Sequence, residues 1–201
     1  MAGYTMVSVP KQGPNAGRTN GKKSYVIIFD FADVDKFSRD ENGISMKEFT
    51  FKSTKKPIAV YATNSSIKCY HTVEGEDDAR GFIHHVEFDH PGTNEKIDEF
   101  LNSCVNARLG AIVVPCGSAT PRIAGTPCQP LAISDAQSQD DKEGCKSSIK
   151  MASVLRGDVL GYIDLAKIPK TDNEDINTEL GLTAAAAAMA SVMASVMSDG
   201  V

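Results

Sequence analysis

Tyr25-Val26-Ile27-Ile28-Phe29-Asp30-Phe31 is an almost unbroken run of β-branched and aromatic residues. That pattern predicts a strand buried on both faces. Met46 to Lys52 alternates instead, with Met46, Glu48, Thr50 and Lys52 against Lys47, Phe49 and Phe51, which predicts one wet and one dry face. Between them, Asp33 to Gly43 is charged and reads as a loop holding at most a helical turn. Pro57 to Thr63 predicts another strand. Ile67 to Val73 follows it with Ile67, Cys69, His71 and Val73 on one face, and residues 74–80 form an acidic loop. Phe82 to His90 alternates again, with Phe82, His84, Val86 and Phe88 opposite Ile83, His85, Glu87 and Asp89.

Pro91-Gly92 ends that strand, and the period then changes. Ile97, Phe100, Leu101, Cys104 and Val105 recur at helical spacing, so an amphipathic helix is expected over 93–106, capped by Thr93 and laid on a sheet. Ala111 to Val114 is a short core strand. Pro115 to Pro130, broken by prolines and glycines, reads as a long irregular loop with at most an edge strand. Leu131 to Ser134 is a brief strand and Asp135 to Gly144 a polar loop. Ser148 to Leu155 and Leu160 to Leu165 close the body as two strands around the turn at Arg156-Gly157-Asp158. The expected class is mainly β (α+β): a β-sandwich or barrel of about eight or nine strands flanked by one principal helix, with an extended N-terminal arm and long loops.

The ends differ from this body. Residues 1–23 are rich in Gly, Pro and Asn and basic, an arm without the apolar groups to fold alone. Residues 24–168 hold the domain. Residues 169–201 combine a polar linker, 170–175, with an alanine run whose Met189, Val192, Met193, Val196 and Met197 make an apolar seam on a helix.

Composition narrows the function classes. With 201 residues, a single domain with an arm is expected. No run of about 18 apolar residues is present, so no span and no membrane insertion is expected, and no secretory signal is visible at the N-terminus. The net charge of −5 is a poor match for tight duplex binding, which needs a basic face. Five cysteines, Cys69, Cys104, Cys116, Cys128 and Cys145, show no metal-ribbon spacing, and free thiols are expected.

Candidate chemistry is sparse. His84 and His85 are adjacent in a strand and point to opposite faces. Cys69, His71 and His84 can meet only if their two strands pair in register, and that trio is the one candidate for a small metal-binding domain or an enzyme. No phosphate loop, dinucleotide fingerprint or nucleophile elbow occurs. No catalytic, cofactor-binding or metal residue is therefore assigned, no cofactor is expected, and the chain reads as a structural protein that builds assemblies rather than as an enzyme.

Gly81 to Thr93, the helix after it and Leu109-Gly110-Ala111-Ile112-Val113-Val114 resemble tail tube proteins of tailed bacteriophages, of the type infecting gut Bacteroidetes, which are related to the tubes of contractile injection systems. The closing strands, Ser148 to Leu155 and Gly161-Tyr162-Ile163-Asp164, fit the same layout. The resemblance covers roughly residues 25–165. It implies a virion protein of the tail, assembled in the host cytoplasm, whose hexameric rings stack into a tube. Its partners would be copies of itself, other tail proteins and DNA passing through an acidic lumen. A head-decoration or head-completion protein with the same β-rich core is the alternative virion part.

Overall fold

The structure, a computed structural model, describes residues 6–142 and 144–182. It contains the strands β1 (Lys22–Asp30), β2 (Val34–Arg39), β3 (Met46–Phe51), β4 (Ile58–Tyr61), β5 (Lys68–Glu74) and β6 (Gly81–Pro91), then the helix α1 (Glu95–Cys104). The strands β7 (Leu109–Pro115), β8 (Arg122–Ala124), β9 (Leu131–Asp141), β10 (Gly144–Ser153) and β11 (Gly161–Tyr162) follow, and the helix α2 (Glu174–Leu180) is the last element among the described residues. The expected mainly β, α+β class holds.

Nine strands form one antiparallel sheet that folds back on itself without closing a barrel. One run is β4-β1-β7-β8-β11 and the other is β9-β10-β6-β5. They are joined through the single pairing of Leu109 with Leu131. Between the runs lies one core, with Val26, Ile28, Ala111 and Val113 from the first and Val86, Phe88, Ile149 and Met151 from the second. Ile97, Phe100 and Cys104 of α1 join that core. A second core lies on the opposite face of β1 and β7. There Ile27, Phe29, Ile112 and Val114 are covered by Met46 and Phe49 of β3 and by Ile163, Ile168, Leu180 and Leu182 from the C-terminal part. This double cover is the physical reason that β1 is apolar without alternation.

Several boundaries depart from the sequence pattern. Residues 33–43 are not a loop: β2 occupies most of them and pairs with β3. Register shifts at Val34/Lys36 and Ser38/Arg39 break the period of two, so Met46 and Phe49, which strict alternation puts on opposite faces, are both buried. β8 is an inner strand between β7 and β11, with Ile123 fully buried, so this part of the 115–130 stretch belongs to the subunit's own fold. β9 runs through the expected polar loop and pairs with β10 along a long hairpin whose outer strand is exposed from Ala136 to Asp141. The cap of α1 is Asn94, whose side chain accepts from the Ile97 N–H, while Thr93 instead hydrogen-bonds the Cys145 thiol at 3.3 Å.

Past residue 169 the chain is not simply a linker. Asn177 is fully buried on α2, where its side-chain oxygen accepts from the Thr171 N–H and hydroxyl, each at 2.8 Å, and its amide donates to the Thr171 carbonyl. The Met/Val seam of 189–197 lies outside the described residues.

Candidate functional site

The register condition for the Cys69–His71–His84 trio is met. β5 and β6 pair so that His71 stands opposite His84 and Cys69 opposite Val86. Register does not make the three available. His84 is completely buried. Its Nδ1 accepts from the Gly125 N–H at 2.9 Å, and its Nε2 lies 2.8 Å from the Asp158 carbonyl, to which it donates. The ring thus acts as a neutral strut between β6, the end of β8 and the loop before β11. Burial, outweighing the hydrogen bond to Asp158, pushes its pKa from 6.5 down to about 4, and the charges of Arg39 and His71 act in the same direction.

The other two members are held differently. Burial pushes the Cys69 thiol up to about 11, so the nucleophilic thiolate is strongly disfavoured. His71 is half-buried and set edge-on to Phe82 at 4.9 Å between ring centres. Burial, then the charge of Arg122, lowers its pKa. His85 points to the other face, stacked on Tyr70 at 4.8 Å and 3.0 Å from the Thr72 hydroxyl. Among the described residues, no group of three or more His, Cys, Asp or Glu is placed to hold a metal ion.

A polar network that sequence reasoning missed surrounds His84. The Gln129 amide donates to the Phe82 carbonyl at 2.6 Å and to the Ser153 hydroxyl at 3.2 Å, and that hydroxyl accepts from the His84 N–H. Gly157 makes reciprocal backbone bonds with Phe82, and a Cβ there would collide with the Gln129 side-chain oxygen. These groups are scattered over 82–158, and no local spacing marks them. They tie β6 and the end of β10 to the loops at 125–129 and 157–158.

What remains is surface. A cleft of about 640 Å³ opens where β5 faces β7 and β8 across the mouth of the sandwich. Its walls include Lys22, Cys69, Arg122 and Tyr162, with the Arg122 guanidinium 4.1 Å over the Tyr162 ring. Arm residues Gln12, Thr19 and Asn20 lie along its rim. Beyond them Met6, Val7 and Val9 are 98%, 78% and 85% exposed. Val73 on β5 and Val154 and Leu155 after β10 are further exposed apolar groups.

No protein-family model matches this chain, and comparisons with curated proteins and with solved structures likewise find no match.

Proposed function

We propose that the chain is a structural, self-assembling protein, a phage-type tail tube subunit whose copies form rings that stack into a conduit for DNA. The observation that carries this reading is the arm. Its described part lies outside the sheet, irregular but for a turn at 14–17, and near its start Met6, Val7 and Val9 find little cover among the described residues. Holding a residue in one backbone conformation costs about 1–2 kcal/mol, so contacts with neighbouring copies are the natural compensation for ordering such a segment. The outer strand of the β9–β10 hairpin, exposed from Ala136 to Asp141, offers a second surface for a neighbouring copy, while β10 lies within the sheet against β6. The side chains with the most distinctive chemistry, His84 and Cys69, are occupied in packing, which favours a structural role over a reactive one. The net charge of −5 suits a lumen that does not retain phosphates.

Deleting residues 1–20 tests the reading, because β1 and its Lys23 contact to Glu179 are kept. The expected result is an unchanged melting temperature for the unassembled subunit together with loss of polymer in light scattering. Normal assembly of the deletion variant would remove the arm from the account.

A further inference from the structure

β5 is the end strand of its run: among the described residues it pairs with β6 alone, so one row of its backbone donors and acceptors faces outward. The side chains that β5 turns toward the core also run out of cover along its length. Cys69 packs against the first core, His71 is half-buried with an Nδ1 that is enclosed and has no hydrogen-bond partner, and Val73 is 60% exposed. An edge strand with an uncovered apolar row is a template for another strand.

Resting on the assembly reading above, we infer that residues 6–9 of a second copy add as a strand to the open edge of β5, laying Val7 and Val9 over His71 and Val73. The segment has the required pattern. Val7 and Val9 share strand parity, Ser8 lies between them, and Pro10, which lacks an N–H, ends the pairing stretch. Charge is complementary as well. The arm before β1 carries Lys11 and Arg18 and no acid, whereas the end of β5 and the turn after it carry Glu74, Glu76, Asp77 and Asp78, of which Asp77 is paired with Arg80. A second copy fits better than the chain's own arm, because Gln12, Thr19 and Asn20 of that arm already lie at its own cleft while residues 6–9 stand exposed. Donor and acceptor are different surfaces of one molecule, so the contact is heterologous and propagates into a ring or a filament.

The test uses full-length chains in which Cys116, Cys128 and Cys145 are replaced by Ser. One chain carries Val9→Cys, and the other, tagged to differ in mass, carries Val73→Cys. Both positions are exposed, so neither substitution disturbs the core. The two chains are mixed and oxidised, and the covalent products are sized and sequenced by mass spectrometry. A disulfide joining Cys at 9 of one chain to Cys at 73 of the other is expected, with no such product when the Val73→Cys partner is left out. The inference is overturned if no cross-link forms, or if a chain carrying both substitutions closes only on itself. Electron microscopy of the unmodified protein separates the two readings. Rings without the cross-link reject the strand addition alone, whereas the cross-link without rings supports it and rejects the ring assembly.

Discussion

His84 makes stability depend on pH in a window where few other groups titrate. Its ring is held between the Gly125 N–H and the Asp158 carbonyl, and only the neutral form with a proton on Nε2 satisfies both. The folded-state pKa is about 4 against 6.5 for an unperturbed imidazole. Because the folded value is the lower one, the unfolded chain takes up the proton first, and stability falls as the pH drops below 6.5. Each pH unit between the two values costs about 1.4 kcal/mol. On the order of 2 kcal/mol is therefore lost by pH 5 and roughly 3 kcal/mol by pH 4. That is a sizeable share of a domain stability of about 5–15 kcal/mol. His71, lowered by burial and by Arg122, adds to the loss with the same sign.

The assay is urea unfolding at pH 7.5 and at pH 5, for the parent chain and for His84→Gln. The variant should be weaker at pH 7.5, since poorly matched buried groups cost about 1–3 kcal/mol each. Its loss between the two pH values should shrink to the part contributed by His71. His71→Gln should remove that smaller part and leave the larger one. An unchanged pH dependence in His84→Gln would mean that the strut is not the titrating group.

Three further substitutions probe the packing. Phe100→Ala should cost about 3–5 kcal/mol, since the ring sits in the first core, whereas Leu101→Ala, only partly buried, should cost clearly less; thermal melts of both variants check the order. Asn177→Ala strips Thr171 of three hydrogen bonds and should cost on the order of 2–3 kcal/mol, with about 2–4 °C of melting temperature lost per kcal/mol. Gly157→Ala drives a methyl group into Gln129 and should cost about 1–3 kcal/mol, with amide exchange accelerating first at Phe82 and Gly157.

The parts of the fold that were legible are those where burial writes a period into the sequence. β1, apolar on every residue from Val26 to Phe29, is covered on both faces, and β6 and α1 carry their strand and helix periods openly. The parts that were not legible form for other reasons. Asp135 to Asp141 alternates no apolar residues, yet it is strand because β10 supplies backbone partners along the hairpin. In β2, Val34 and Phe37 lie three apart because register shifts displace them, so a period of two is not written there. α2 offers only Ile176 and Leu180 as an apolar pair and depends on Asn173 and Asn177 side-chain bonds. The trio of Cys69, His71 and His84 was legible as a geometric possibility. Its chemistry was decided by Gly125 and Asp158, 41 and 74 residues from His84, which a local reading of spacing cannot supply.

A chain that builds polymers, as proposed, must do so when purified. Negative-stain electron microscopy of the purified full-length protein, taken across a rising concentration series, tests it most directly. Rings with a central opening, or tubes made of such rings, are the predicted result. A uniform population of single 21.5 kDa particles at every concentration would contradict it.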